Sequence, residues 1–249
     1  MTEELRAVGV SGLPEFGEGM SVGAEIAARS ELRAGDVVVI SQKIVSKAEG
    51  RLRELSSALP GGEARRLAAV LGKDPALVEL ILEESREVLR AERGVLIVET
   101  RHGFVCANAG IDGSNLPGEG TVCLLPEDPD GSARRIRAEI RTAAGVSPAV
   151  IVADSFGRAW RLGQAEVAIG CAGIAPLEDW RGRADSGGRE LTATLIAIAD
   201  EAAAAADLVR DKASRVPAVV LRGLDRHVGA EDGPGAAALR RARDEDLFR

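Results

Sequence analysis

Residues 94–115, GVLIVETRHGFVCANAGIDGSN, run from apolar strand-like positions into a loop that offers Asp112, Ser114 and Asn115 together. A second apolar run, AVIVADS at residues 149–155, ends in Asp154 and Ser155. Carboxylate and hydroxyl oxygens are the ligands that Mg²⁺ and Mn²⁺ prefer. Two strand ends of this kind predict a hard-cation site and metal-assisted phosphoryl chemistry. The alternative is that each aspartate caps a turn after a strand, which Asp and Asn often do.

Valine- and isoleucine-rich runs alternate with segments of helical periodicity, and this mixture predicts an α/β or α+β fold. Predicted strands are residues 37–40, 95–99, 104–107, 121–125, 149–153 and 218–221. Predicted helices are 22–32, 63–71, 75–84 with Asp74 as its cap and Pro75 in its first turn, and 132–144, while 189–209 predict a strand running into a helix. We expect one domain over residues 1–224 and a C-terminal surface or linker segment over 225–249.

Composition excludes several functional classes. The 249 residues include 45% hydrophobic side chains, enough for a core, and the net charge of −7 argues against a protein that binds nucleic acid in bulk. Tyrosine is absent and aromatic residues total 2%, so a base-stacking platform is not expected. Three cysteines without CxxC spacing and an acidic N-terminus without a secretory pattern favour a reducing, cytoplasmic location. No membrane partner is expected either, whereas a small phosphorylated ligand remains compatible.

The block DVVVISQKIVSKAEGR at residues 36–51 presents Ser41, Gln42, Lys43 and Lys47 directly after an apolar run. Alternation places the two lysines on one face. A hydroxyl, an amide and two ammonium groups suit the base edge and phosphates of a nucleotide. The alternative is a solvated edge strand whose lysines discourage aggregation.

The segment FGRAWRLGQAE at residues 156–166 is predicted to be a loop in which Arg158 and Arg161 flank Trp160. Arginines can grip an anionic substrate through two hydrogen bonds, and the indole can stack on a planar ring. We therefore predict these three as substrate-binding residues; the alternative for Trp160 is a core or interface anchor. The glycine-rich GRADSGGRE at 182–190 is read as a surface turn, since the chain contains no GxxxxGK followed by Ser or Thr.

Taken together, six blocks in order resemble the coenzyme F420-0:L-glutamate ligase family, the gamma-glutamyl ligases called CofE. The blocks are GLPEF (12–16), SQKIVSKAEGR (41–51), ETRHGFVCANAGIDGSN (99–115), LLPEDPDGSA (124–133), ADSFGRAWRLGQAEVAIGCAG (153–173) and PAVVLRGL (217–224). The resemblance covers about residues 8–224 and implies a CofE-like fold of mixed β-sheets with flanking helices, assembled as a homodimer.

The resemblance also implies the reaction. Family members join L-glutamate to the phospholactyl carboxylate of coenzyme F420-0, or of its dehydro form, and then add gamma-linked glutamates. GTP is consumed through an acyl phosphate, with release of GDP and phosphate. The implied cofactors are two divalent ions, Mg²⁺ or Mn²⁺, with K⁺ as a further candidate.

Site residues are carried over position by position. The resemblance implies Asp112 and Asp154 as ligands of one ion, Ser155 as a contact of a second, and Asp112, Asp154 and Lys47 as the catalytic groups. The implied nucleotide contacts are Gly12, Leu13, Pro14, Ser41, Gln42, Lys47, Asn115, Arg210, Asp211, Lys212, Ala213, Ser214, Arg215 and Val216. Two other functional classes fit the same acids: a metal-dependent phosphohydrolase or phosphotransferase, and a non-catalytic subunit that binds the deazaflavin.

Overall fold

A computed structural model of the protein describes residues 4–114, 116, 118–210 and 215–247. The strands are β1 (Arg6–Gly9), β2 (Val37–Ser41), β3 (Leu52–Glu54), β4 (Ser85–Glu92), β5 (Val95–Thr100), β6 (Val105–Ala107), β7 (Thr121–Cys123), β8 (Ala149–Arg158), β9 (Arg161–Ala172), β10 (Glu178–Asp179), β11 (Leu195–Ile196) and β12 (Ala218–Arg222). The helices are α1 (Val22–Ala27), α2 (Gln42–Ala48), α3 (Gly62–Leu71), α4 (Pro75–Glu83), α5 (Pro129–Ala144) and α6 (Ile198–Asp207). Short 3₁₀ turns lie at Leu55–Ser57, Asn108–Gly110, Asp225–His227, Ala236–Leu239 and Arg243–Glu245.

The largest sheet has the strand order β1-β12-β2-β8-β9. Its central strands β2 and β8 are parallel, with Ser41 opposite Ala153, whereas the other pairs are antiparallel. Residues Val37 to Ile40 are fully buried, which explains why this run is apolar without alternation. Because parallel strands end at the same edge of a sheet, the residues after Ser41 and Ala153 lie side by side.

Helices cover both faces of this sheet. On one face α1 and α5 contribute Ile26, Ile136 and Ile140 to the core, and on the other α6 contributes a row of buried alanines. Helix α1 approaches α5 closely at Gly23, where an added Cβ would lie 2.5 Å from the carbonyl oxygen of Ile136. Any larger residue there would force the two helices apart.

A second layer carries Asp112 to the sheet edge. Strands β4, β5 and β6 form an antiparallel sheet that packs with α3 and α4 around a separate hydrophobic core. After β6, Asp112 exchanges backbone hydrogen bonds of 3.1 and 2.9 Å with Cys123. Arg51 ties this layer to the rest of the protein, since its guanidinium donates to Glu84 Oε2 and to the Leu125 carbonyl oxygen, each at 2.9 Å.

The mixed α/β prediction is confirmed, and each predicted strand and helix has a counterpart among the described elements. Two local interpretations are wrong. The residues after Ile40 were read as a strand end, but from Gln42 to Ala48 they form α2. The segment 156–166 was read as a loop, but it is the outer part of a β-hairpin, because β8 continues past Asp154 to Arg158 and β9 starts at Arg161.

Most described residues of the C-terminal segment lie at the surface, as predicted, but the segment is anchored to the fold by buried residues and is not a free linker. Ala236 is 1% exposed and lies in the core beneath α6. The Asp130 carboxylate accepts a hydrogen bond from the Ala236 N–H at 2.7 Å, and the Arg137 guanidinium donates to the Gly229 carbonyl oxygen at 2.7 Å. Of the helices in the described ranges, none has the length and apolar character needed to cross a membrane.

Candidate functional site

A cavity of about 830 Å³ opens at the edge of the sheet where β2 and β8 pass their last paired residues. Most of the predicted site residues lie on its wall: Leu13, Pro14, Ser41, Gln42, Lys47, Asp112, Asp154, Ser155, Arg210, Arg215 and Val216. Gly12 directly precedes Leu13, and its carbonyl oxygen accepts a hydrogen bond from Arg29 Nε at 2.6 Å. Asn115, Asp211, Lys212, Ala213 and Ser214 lie outside the described residues.

Asp112 is held ionised at one side of this cavity. Lys43 Nζ lies 2.8 Å from its Oδ2, and the Ser114 N–H donates to its Oδ1 at 2.6 Å. Burial opposes ionisation of the carboxyl, but the hydrogen bonds from Lys43 and Ser114 outweigh it and hold the pKa of Asp112 below its usual range. A carboxylate in this state is ready to accept a cation or an ammonium group.

Asp154 has the opposite electrostatic environment. Burial and the nearby negative charge of Glu166 raise its pKa to about 7, with a smaller contribution from Asp112. The Ser155 N–H and the Lys43 ammonium oppose the shift without cancelling it. Carboxylates that repel one another on a cavity wall are stabilised when a cation binds between them.

Glu166 belongs to the same wall, although it was not predicted. It lies opposite Ser155 in the β8–β9 ladder, and the Ser155 hydroxyl donates to its Oε1 at 2.5 Å. Arg210 Nη2 lies 3.0 Å from Glu166 Oε2. These two atoms form an ion pair but not a hydrogen bond. Both are buried, and neither has a hydrogen-bond partner.

A β-bulge shapes this part of the hairpin. Val152 pairs with Gly170 and Ala153 pairs with Ala168, so Ile169 is an extra residue on β9. Bulges bend a strand and change the direction of the side chains that follow them. The irregularity comes immediately before Asp154, where the ladder reaches the cavity.

Helix α2 forms the basic side of the cavity. Lys43 and Lys47 share a face, as predicted, because residues four apart in a helix are neighbours and not because a strand alternates. The Lys47 side chain is buried and pairs with Glu15, which itself is largely exposed. Lys43 contacts Asp112 directly, and Lys47 with its partner Glu15 lies on the wall of the same cavity, whose volume is large enough for a nucleotide.

The donor set fits a hard cation that arrives with a phosphate ligand. Within the described ranges, no group of three or more His, Cys, Asp or Glu side chains is placed to hold a metal ion by itself. Asp112, Asp154 and Ser155 nevertheless offer oxygen atoms to one cavity. Mg²⁺ is commonly held by one or two carboxylates plus substrate phosphates, so an incomplete protein cage suits it.

The three predicted substrate-binding residues lie elsewhere. Arg158, Trp160 and Arg161 are at the tip of the β8–β9 hairpin and not on the wall of the main cavity, and Trp160 is 81% exposed.

Two further wall residues, Lys43 and Ser114, were candidates in the sequence, whereas the prediction missed Glu15, Phe16, Ile44, Glu166, Asp207 and Pro217. Glu166 had no usable signal, because a turn between Arg158 and Arg161 would by itself place Gln164 opposite Ser155. The register shift between Gly157 and Arg158 brings Glu166 there instead.

Comparisons with known proteins agree on one family. A family model described as F420-0:Gamma-glutamyl ligase matches residues 12–223. The coenzyme F420:L-glutamate ligase of Methanothermobacter thermautotrophicus is 45% identical over 251 residues, covering 98% of this chain and 99% of that protein. Proteins of the same name from Methanopyrus kandleri (46% identity, 90% and 89% coverage) and Methanocaldococcus jannaschii (40% identity, complete coverage of both) are also similar. This chain belongs to the F420-0:gamma-glutamyl ligase family.

Proposed function

We propose that this protein is a GTP-dependent ligase that adds L-glutamate to coenzyme F420-0 and then extends the product with gamma-linked glutamates. The observation that carries the proposal is the convergence of Asp112, Asp154, Lys43 and Lys47 on one cavity large enough for a nucleoside triphosphate. Family membership supports the ligase activity in coenzyme F420 biosynthesis. GTP as the cosubstrate, the acyl phosphate and the chain extension are the parts that we add.

The chemistry requires activation because a carboxylate is a poor electrophile. In the first step a carboxylate oxygen of the acceptor attacks the γ-phosphorus, and the bond from that phosphorus to the β,γ-bridging oxygen breaks to release GDP. In the second step the glutamate amine attacks the acyl carbon, phosphate leaves, and the amine loses a proton. No covalent enzyme intermediate is needed, which agrees with a site built from acids and amines.

The residues of the cavity have separate roles in this proposal. Asp112, Asp154 and Ser155 would hold the divalent metal, which when bound neutralises charge on the phosphoryl oxygens. Lys47 places an ammonium group beside the same oxygens, where negative charge is concentrated during transfer. In this proposal Ser41, Gln42 and the 12–14 turn would contact the nucleoside.

We also propose a homodimer, in which the hairpin tip makes the contact between subunits. Leu162 is 96% exposed and Trp160 81% exposed at this tip, and large apolar side chains exposed together commonly mark an interaction surface. Arg158 and Arg161 beside them stay candidates for binding the anionic acceptor. Light scattering on wild type and on Trp160→Ser tests this: a dimer that becomes a monomer supports it, and a wild-type monomer refutes it.

The function is tested by mass spectrometry of products from purified protein with GTP, Mg²⁺, L-glutamate and coenzyme F420-0. Wild type is expected to add glutamate, and Asp112→Asn and Asp154→Asn are expected to abolish addition while retaining the thermal unfolding midpoint. Asp185→Asn is the matched control, because Asp185 is an exposed turn residue away from the cavity. Undiminished glutamate addition by either cavity variant would refute the metal assignment.

The same assay separates the alternatives. A phosphohydrolase would release phosphate from GTP at the same rate with and without the acceptor and L-glutamate. A non-catalytic subunit would bind the deazaflavin tightly without consuming GTP. Only the ligase links phosphate release to the gain of glutamate mass.

A further inference from the structure

The buried pair of Glu166 and Arg210 has no role in the reaction as described above, yet both residues lie on the wall of the main cavity. The side chains are each 8% exposed, which is unusual for two charged groups. A pair of this kind can serve the fold, by joining β9 to the end of α6, or it can serve the ligand. The contacts of each group distinguish these roles.

The carboxylate of Glu166 is only half satisfied. Its Oε1 accepts the hydrogen bond from the Ser155 hydroxyl, while its Oε2 is buried and receives no hydrogen bond. Because the Ser155 hydroxyl donates its proton to Glu166, Ser155 can act toward a cation only as an oxygen donor ligand. Glu166 therefore orients a hydroxyl that is itself a proposed metal contact.

The guanidinium of Arg210 is also incompletely satisfied. Its Nε and Nη2 are buried without hydrogen-bond partners, and Nη2 lies between Glu166 Oε2 at 3.0 Å and Asp207 Oδ1 at 3.7 Å. A purely structural arginine would be expected to use its planar fork fully, as Arg51 does with all three nitrogens. Arg210 lines the cavity, so donors that lack a partner in the folded chain indicate a group that the ligand brings.

The charges give the reason for such an arrangement. Asp112, Asp154 and Glu166 place three acids on the wall of one cavity. Lys43 is bound to Asp112, so among the residues that the structure describes it is Arg210 that pairs with Glu166. A divalent ion entering with a triphosphate would supply the same positive charge and would free the guanidinium for phosphoryl oxygens.

We propose that Arg210 is an exchangeable counter-ion: it neutralises Glu166 until a divalent cation takes its place, and its guanidinium then binds the phosphates of the nucleotide. In this scheme Glu166 is a positioning residue that holds Ser155 for the cation. The scheme rests on the proposed function only for the identity of the nucleotide. Its central claim, that Arg210 and a divalent cation compete for the same acids, concerns this chain alone.

The test is a titration with Mn²⁺ in the absence of nucleotide and acceptor. The electron paramagnetic resonance signal of the free ion reports how much Mn²⁺ the protein has bound. Arg210→Met keeps the length of the side chain and removes the charge, so it is expected to tighten Mn²⁺ binding several-fold, whereas Glu166→Gln is expected to weaken it by about tenfold. With GTP present, Arg210→Met should bind the nucleotide more weakly, and Arg210→Lys should restore part of that loss. Arg65→Met, an exposed residue of α3, is the control.

A structural ion pair gives a different pattern. If the pair only stabilised the fold, both single variants would have a lower thermal unfolding midpoint, and the Mn²⁺ affinity of both would be unchanged or lower. That result would overturn the proposal. Should Arg210→Met fail to fold, the double variant Glu166→Gln with Arg210→Met removes both charges, and its Mn²⁺ affinity should equal that of Glu166→Gln. If the protein adds glutamate but Arg210 and Mn²⁺ do not compete, the exchange is refuted and the proposed function is not. If they compete in a protein that adds no glutamate, only the proposed function is refuted.

Discussion

At the scale of single residues, burial makes the three cysteines unreactive. Burial raises the pKa of the Cys106 thiol and of the Cys171 thiol to about 12, from an ordinary value of 9.0, and raises the pKa of Cys123 as well. Since the thiolate is the nucleophile, we expect almost no reaction with an aromatic disulfide reagent at about pH 8 until the protein unfolds. Rapid labelling of the native protein would contradict this.

The same shifts predict how stability changes with pH. A thiol with a raised pKa keeps its proton in the folded state, so stability is unaffected below the unfolded pKa and falls as pH rises from about 9 toward 12. The Cys106 and Cys171 thiols should each lower the free energy of unfolding by roughly 1.4 kcal/mol per pH unit in that window. Urea unfolding of wild type and Cys171→Ala between about pH 8 and pH 10 measures it, and equal slopes would refute the assignment.

The sequence predicted which single residues lie in the site better than it predicted the contacts between them. Asp112, Asp154 and Lys47 were predicted from their residue types and from the family blocks, and all three lie on the cavity wall. Glu166 and Arg210 show the limit of this approach, because their contact joins residues 44 positions apart and depends on the β8–β9 ladder. Local sequence carries no information on that ladder until the hairpin is recognised.

At the scale of elements, the starts of α1, α3 and α4 were predicted to within one residue because capping is local, whereas α5 begins at Pro129, three residues before the predicted start. Asp74 precedes Pro75, which lacks an N–H, and its carboxylate accepts the hydrogen bond of the Ala76 N–H at 2.7 Å. Helix α2 was missed because its Ser41 cap makes no side-chain hydrogen bond and the apolar run before it is a strand. Strand β4 was missed because its exposed and half-buried residues give no apolar period.

Removal of the α4 cap gives a prediction at this scale. Asp74→Ala leaves a backbone donor of the first turn without its partner, so we expect the free energy of unfolding to fall by about 1 kcal/mol. Asp74→Ser keeps an oxygen acceptor and should retain most of the stability. Chemical denaturation of the three proteins checks this, and equal losses in both variants would show that the charge, and not the hydrogen bond, matters.

At the scale of the whole molecule, the C-terminal segment completes the fold. The Arg137 side chain is 7% exposed, and it donates hydrogen bonds to the carbonyl oxygens of Gly229 and Ala230 and to Asp232. These partners all lie beyond Leu224, where the six family blocks end. Composition suggested a linker because alanine, glycine and mixed charge lack a strong pattern. A small residue is nevertheless required at Gly235, where an added Cβ would lie 2.4 Å from the Asp130 carboxyl carbon.

Truncation tests this role. In a chain that ends at Leu224, the buried Arg137 would keep its hydrogen bond to the Pro148 carbonyl oxygen and lose those to residues 229–232. The hydrophobic core that Ala236 covers would be exposed to water. Loss of partners for a buried charge costs about 3–5 kcal/mol, so we expect a large fall in the urea midpoint or failure to fold. A chain that ends at Ala242 loses the exposed pair of Arg243 with Glu87 and should unfold close to wild type, because exposed ion pairs contribute little. If both truncated chains unfolded at the same midpoint as the full chain, the segment would be an appendage, and the packing of residues 225–242 would have no part in holding the sheet together.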